Sequence, residues 1–107
     1  MGMVRGEIYL VCLDPTMGSE IKKTRPCVVI SPPEIHNYLR TALIAPMTTG
    51  ARSAPFRIAV DFQQKQGLVL LDQIRAVDKV RLVKHLGCLN EDTLTQILST
   101  LQEMFTE

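Results

Sequence analysis

The chain has 107 residues, of which 46% are hydrophobic and 21% are charged, and its formal net charge is +1. This length suits one folded domain over residues 1–107, the hydrophobic share excludes a disordered chain, and the small net charge excludes a strong overall attraction to nucleic acid. The longest apolar runs are far shorter than the roughly 20 residues that cross a membrane, and residues 1–6 lack the apolar core of a signal peptide. We therefore expect one globular cytoplasmic domain, in which any nucleic-acid site is a local basic patch.

Short apolar runs in the first half of the chain predict three strands. The first, Ile8 to Leu13, is apolar on both faces, which is typical of a strand that is covered on both sides. The second, Cys27 to Ile30, is fully apolar and is followed by one helical turn at Glu34 to Tyr38. The third, Ala42 to Ala45, is expected to end at Pro46.

The next segment predicts three further strands joined by short turns. Phe56 to Phe62 alternates apolar and polar residues, as a half-buried strand does. After a turn at Gln63 to Gly67, one strand is expected from Leu68 toward Val77. A turn at Asp78 to Arg81 then leads to a last, weaker strand from Val83 to Leu89.

One long helix is predicted from Asn90 to Phe105. Asn90 is a suitable N-cap, and the acidic residues that follow it, Glu91 and Asp92, suit the positive end of the helix dipole. Apolar residues recur along one face, which predicts core packing. They are Leu94, Ile97, Leu98, Leu101, Met104 and Phe105. Strands followed by a helix predict a mainly β (α+β) fold: a small SH3-like barrel, or strongly bent antiparallel sheet, with a C-terminal helix.

The cysteines and histidines show no ligand pattern. Cys12, Cys27 and Cys88 each sit in an apolar run, so we expect small buried side chains in a reducing compartment. No pair of cysteines has zinc spacing, and His36 and His85 are far apart in the sequence. We expect no metal and no cofactor.

The segment from Asp14 to Pro26 is the strongest functional signal. It is a polar, charged loop between two predicted strands, which is where binding and chemistry often lie. It ends on Arg25, whose planar guanidinium suits a phosphate, and Pro26 restricts Arg25 to extended backbone. The other basic residues of this patch are Lys22, Lys23, Arg52 and Arg57, and charge alone also allows them to be ordinary solvated side chains.

A set of short sequence blocks runs through nearly the whole chain. The opening blocks are Arg5-Gly6-Glu7-Ile8-Tyr9, Leu13-Asp14-Pro15-Thr16, Gly18-Ser19-Glu20 and Thr24-Arg25-Pro26. The later blocks are Pro46-Met47-Thr48, Leu71-Asp72-Gln73-Ile74-Arg75, Asp78-Lys79 and Arg81-Leu82. In order and spacing they resemble the MazF/PemK family of toxins from about residue 5 to residue 105.

The resemblance implies a fold, an activity and two kinds of partner. Members of this family are sequence-specific endoribonucleases of type II toxin–antitoxin pairs, and they form homodimers of SH3-like barrels. They need no metal, and they use the RNA 2′-hydroxyl as nucleophile, which gives a 2′,3′-cyclic phosphate and a 5′-hydroxyl. A cognate, MazE-like antitoxin lays an extended segment over the RNA groove.

Four residues are candidates for this chemistry: Arg25, Thr48, Glu20 and Asp72. Arg25 suits the charge of the phosphorane; the family also assigns proton transfer to its position, but a guanidinium is a poor base. The Thr48 hydroxyl can bind a phosphate oxygen, or its own backbone in a turn. Glu20 and Asp72 can orient Arg25 or accept a proton, although Asp72 can equally make a structural hydrogen bond at a strand bend.

This chain departs from some family members at three positions. Some PemK-type toxins carry His where this chain has Ser19 and Arg where it has Leu70, and they pair these residues with an Asp at the position of Asp72. The resemblance therefore implies the Arg25 and Thr48 arrangement here. Ile21 also stands where Gln is usual. The residues that we expect to contact RNA are Ser19, Lys22, Lys23, Thr49, Arg52 and Gln73.

Two alternatives remain open from the sequence. A CcdB-like gyrase poison would use exposed residues of the segment 90–107 and would not need Arg25. A catalytically silent SH3-like binding module would cleave no RNA. Incubation with a long RNA in EDTA separates both from a metal-independent nuclease.

Overall fold

Seven strands and one long helix make up most of residues 3–107, the part of the chain that this computed structural model describes. The strands are β1 (Glu7–Cys12), β2 (Thr24–Val29), β3 (Thr41–Thr48), β4 (Arg57–Phe62), β5 (Lys65–Leu70), β6 (Arg75–Asp78) and β7 (Leu82–Cys88). The helices are α1 (Pro33–His36) and α2 (Glu91–Met104), with 3₁₀ turns at Leu71–Gln73 and Lys79–Arg81.

The sheet is antiparallel and strongly curled, with the order β4-β5-β3-β2-β1-β7. It curls because β3 changes partner along one edge: Thr41–Ile44 pairs with β6, whereas Met47 and Thr48 pair with β5. The result is a half-barrel whose edge strands are β4 and β7. This confirms the predicted mainly β fold with a bent antiparallel sheet and a C-terminal helix.

Apolar residues pack on both faces of this sheet. The larger cluster fills the barrel and includes Ile8, Val28, Met47, Val60, Val69, Leu71, Ile97 and Leu101. The smaller cluster lies on the other face and includes Val11, Leu13, Cys27, Val29, Ile44 and Val77. The prediction that β1 is covered on both sides is therefore confirmed for Ile8 and Val11, while Tyr9, Leu10 and Cys12 remain partly exposed.

Helix α2 closes the barrel as its sequence predicts. The Asn90 side chain accepts a hydrogen bond from the backbone N–H of Thr93 at 2.8 Å, so Asn90 is the N-cap. Ile97 and Leu101 are buried, but Phe105 lies at the C-cap and is 73% exposed. The apolar stripe therefore packs in the core up to the last turn, and the inclusion of Phe105 was wrong.

The expected strand end at Pro46 is wrong, because β3 continues to Thr48. Ile30 N–H donates to Leu43 O at 2.8 Å, and the register then places Pro46 and Cys27 in a pair that exchanges no ladder hydrogen bonds. The prolyl nitrogen faces the other edge of β3. Along that edge the pairing of β3 with β6 stops at Ile44, and its pairing with β5 starts at Met47. A missing N–H is tolerated at this gap.

Two other strand boundaries differ from the expectation. The strand predicted from Leu68 to Val77 is interrupted by the 3₁₀ turn Leu71–Gln73. Strand β2 begins at Thr24, so Arg25 belongs to a strand and not to the preceding loop.

The cysteines are less uniformly buried than predicted. Cys27 is buried, Cys12 is partly exposed and Cys88 is exposed. Cys88 is the last residue of β7, which is an edge strand within residues 3–107, so an apolar run did not imply burial there.

Candidate active site

Arg25 and Thr48 meet at a pocket of about 190 Å³, which we call the Arg25 pocket. The register that pairs Cys27 with Pro46, continued outward along both strands, places Arg25 of β2 across from Thr48 of β3. The pocket is lined by Arg25, Pro26, Met47, Thr48, Thr49, Val60, Phe62, Gln63, Lys65 and Gly67.

Arg25 is exposed and only lightly restrained. Its Nε–H donates to the backbone oxygen of Lys22 at 3.3 Å. Within residues 3–107, its other guanidinium N–H groups have no protein acceptor and no carboxylate partner. Lys65 adds a second cationic side chain to the same pocket. Two cations with free donors suit an anionic group such as a phosphate diester.

Thr48 makes the turn contact that its sequence context allowed. Its Oγ1 accepts a hydrogen bond from the backbone N–H of Gly50 at 3.2 Å. A hydroxyl also carries one proton to donate, so this contact fixes the side chain and leaves it a donor for a ligand oxygen. Gly67 permits the close approach of β5, since a Cβ atom there would lie 2.8 Å from the backbone oxygen of Thr48.

Asp72 forms an ion pair with Arg57 and not with Arg25, the arginine that it was expected to orient. Both of its oxygens accept from Arg57, at 3.1 Å from Nε and 3.0 Å from Nη2. Arg57 also donates to the backbone oxygen of Arg52 at 2.9 Å, which ties down the segment between β3 and β4. The hydrogen bonds from Arg57 hold the pKa of Asp72 below its ordinary value. In this structure Asp72 is paired with Arg57 and makes no hydrogen bond to Arg25 within residues 3–107.

Glu20 and Gln73 lie with Asp72 at a separate pocket of about 200 Å³. A Glu20 oxygen accepts from the backbone N–H of Met17 at 2.7 Å. The Gln73 side-chain oxygen accepts from the backbone N–H of Ile21 at 2.8 Å. The structure therefore places Arg25 and Thr48 at one pocket and Glu20 and Asp72 at another. The hydrogen bond to Gln73 stabilises the loop that carries Glu20.

The two ends of the loop formed by residues 14–23 are held in place by hydrogen bonds that the sequence did not reveal. Arg75 donates to Leu13 O at 3.2 Å, and Arg81 donates to the backbone oxygens of Cys12 and Asp14. The Asp14 side chain accepts from the backbone N–H of Lys23 at 3.0 Å. Arg75 and Arg81, which belong to the later sequence blocks, therefore hold the start of the loop in place. Only their position in the fold shows this role.

The remaining predicted RNA contacts lie on exposed surface around these pockets. Ser19, Lys22, Lys23 and Arg52 are exposed, and Thr49 lines the Arg25 pocket. Sequence reasoning missed Lys65 and Phe62, which also line it. Nothing in the sequence pointed to a site role for either residue, because Lys65 lies in a predicted polar turn and Phe62 resembles a core residue.

No group of three or more His, Cys, Asp or Glu side chains in residues 3–107 is placed to hold a metal ion. Burial raises the pKa of the Cys27 thiol to about 12, so this cysteine is a poor nucleophile. Over the same residues, no helix has the length and apolar character to span a membrane.

The fold and the pocket together define a small barrel protein with an open cationic site of a kind that suits a phosphate group. Residues 4–105 match the model of the PemK-like, MazF-like toxins of type II toxin–antitoxin systems, so the chain belongs to that family. It is 36% identical to endoribonuclease PemK of Escherichia coli, over 97% of this chain and 83% of PemK. It is 33% identical to endoribonuclease MazF of Staphylococcus epidermidis, over 91% of this chain and 86% of MazF. The expected endoribonuclease class is confirmed by these two relatives.

Solved structures show the same fold. MazF from Deinococcus radiodurans superposes with a TM-score of 0.83 at 24% identity, covering 95% of this chain and 94% of that one. A mycobacterial endoribonuclease in complex with its cognate antitoxin superposes with a TM-score of 0.79 at 21% identity, covering 95% and 93%. Both likenesses support the half-barrel with its C-terminal helix.

Proposed function

We propose that this toxin cleaves single-stranded RNA at chosen sequences, without a metal ion, by attack of the 2′-hydroxyl on the adjacent phosphate. The observation that carries the proposal is the Arg25 pocket, where a free guanidinium, a hydroxyl and Lys65 share one open site. The family match and the endoribonuclease relatives support RNA as the substrate.

In the proposed reaction, the 2′-oxygen forms a bond to phosphorus and the bond from phosphorus to the 5′-oxygen breaks. Arg25 and Lys65 neutralise the charge on the phosphorane, and Thr48 donates to one of its oxygens. The lowered pKa of Asp72 makes this residue a poor proton acceptor. This leaves Glu20, which lies at the separate pocket, so we assign it to take the 2′ proton through an intervening water. The departing 5′-oxygen takes up a proton from water, Glu20 returns its proton to the solvent, and the products carry a 2′,3′-cyclic phosphate and a 5′-hydroxyl.

The proposed partners follow from the surface around the pocket. Lys22, Lys23 and Arg25 are exposed beside each other in sequence, and such a surface can bind RNA phosphates or an acidic extended peptide. We assign that peptide to a cognate MazE-like antitoxin that covers Arg25. We also propose a cytoplasmic homodimer, in which the RNA groove crosses the interface.

Incubation of the purified protein with a long mixed-sequence RNA in EDTA tests the activity. Sequencing of the cut ends is expected to reveal one short motif. Cuts that fall at random, or an RNA that stays intact, would contradict the proposal and favour a silent binding module.

A further inference from the structure

A third cavity opens where the half-barrel fails to close. Within residues 3–107, the edge strands β4 and β7 do not pair with each other. A cavity of about 730 Å³, here called the seam cavity, lies between Ala59–Phe62 of β4 and Cys88–Asn90, and it reaches Thr93 of α2. Its volume is in the range of ligand sites.

The seam cavity is continuous with the Arg25 pocket. Thr49, Val60, Phe62 and Gly67 line both. The two cavities are therefore neighbouring parts of one groove. A chain molecule held by a phosphate at Arg25 can therefore reach the seam cavity with a neighbouring group.

The chemistry of the two parts differs. The Arg25 pocket has Arg25 and Lys65, whereas the lining of the seam cavity, as far as residues 3–107 show it, contains neither lysine nor arginine. It has the carboxylate of Asp61 instead. A phosphate is favoured in the first part and disfavoured in the second.

The seam lining offers what a nucleobase needs. Phe62 is partly exposed at the junction and presents an aromatic ring, a group on which bases stack. The Asp61 carboxylate and the Thr93 hydroxyl make no side-chain hydrogen bond within the described residues. They are available to the edge of a base, as is the exposed Gln66.

We infer that the seam cavity binds one base of the RNA, next to the phosphate held at Arg25, and sets part of the cleavage motif. This inference rests on the proposed function. A carboxylate accepts hydrogen bonds and donates none. Asp61 therefore favours a base with an exocyclic amino group, as adenine, cytosine and guanine have, over uracil, which has none.

The test compares Asp61→Asn and Thr93→Val with the natural protein. Asp92→Asn is the control, since it removes the same charge from an exposed residue that does not line the cavity. Short RNAs carrying each of the four bases at each position beside the cut are assayed for kcat/KM. The same sequences with 2′-methoxy groups, which resist cleavage, are assayed for Kd.

Both seam variants should change the preference at one and the same position by roughly tenfold, and the control should keep it. The inference is overturned if both seam variants unfold at the normal temperature and keep the natural base preference in cleavage and in binding. Loss of affinity for the cognate antitoxin with unchanged base preference also overturns it, and makes the seam a peptide site. If the natural protein cleaves no RNA but the variants shift the 2′-methoxy preference, the seam site stands and the proposed function fails.

Discussion

Arg25 and Thr48 face each other on neighbouring strands, at the point where β2 leaves the loop and β3 passes from β6 to β5. The backbones of both residues are therefore placed by the sheet, and the 14–23 loop adds the Lys22 carbonyl that accepts from Arg25 Nε. A site built on strands is held in shape before substrate arrives, so little of the binding energy goes into ordering it.

Gly67→Ala should impair catalysis more than folding. The new Cβ would lie 2.8 Å from Thr48 O, a backbone atom, so β5 or the end of β3 must shift. A displacement of this size in a catalytic group lowers kcat about ten- to a hundredfold. Gly50→Ala is the matched control, because its Cβ meets nothing closer than the Thr48 Oγ1 at 4.0 Å. Equal kcat values for the two variants would show that β5 does not position Thr48.

Asp72→Asn should lower the melting temperature at neutral pH and leave most of the activity. The pKa of Asp72 is lowered in the folded protein, so its ion pair with Arg57 stabilises the fold above the ordinary carboxyl pKa of about 3.9. That contribution is lost as the pH falls through the lower folded value. The difference in melting temperature from the natural protein should therefore shrink below about pH 4. A loss of a hundredfold or more in kcat with an unchanged melting curve would instead give Asp72 a catalytic role.

Charge reversal at Lys22 and Lys23 should weaken RNA and antitoxin together. Both side chains are exposed beside Arg25, and the affinity of each ligand for the natural protein should fall as salt is added. The double variant should show a smaller dependence of log Kd on log salt. Lys84→Glu, on the exposed side of β7, serves as the control. If the double variant binds antitoxin normally, the two ligands do not share these lysines.

The protein should be a dimer at micromolar concentration. Val80 and Val83 are 81% and 58% exposed near the connection from β6 to β7, and we propose that a partner subunit covers them. Light scattering measures the mass directly. A monomer mass at this concentration would contradict the proposed groove across an interface.

Where the sequence pattern and the packing agree, prediction succeeded. The 3.6-residue period and Asn90 located α2, and alternation located β4. The tight turn between β4 and β5 was harder to predict. Gln63 and Gln64 both have positive φ there, and the usual sequence signal for such a turn is Asn-Gly. The sequence also could not show that β3 has two partners along one edge, which is what allows Pro46 in a strand.

The sequence analysis named some residues of the candidate site but not their arrangement. Arg25 and Thr48 do share a pocket, as the family resemblance implies. The partner of Asp72 is Arg57, which the sequence suggested only as one of the basic residues of the patch. Such pairings depend on register between distant segments, which one sequence does not specify.

The central claim is that Arg25 promotes attack by a single 2′-hydroxyl. It is tested most directly with an oligonucleotide that is DNA except for one ribose at the mapped cut site, incubated in EDTA with the natural protein and with Arg25→Ala. Arg40→Ala, an exposed arginine outside the Arg25 pocket, is the control. We predict cleavage at the ribose with a 2′,3′-cyclic phosphate end identified by mass spectrometry, and a loss of roughly a hundredfold or more in Arg25→Ala alone. Cleavage of the all-DNA version, an absolute need for added magnesium, or full activity in Arg25→Ala would contradict it.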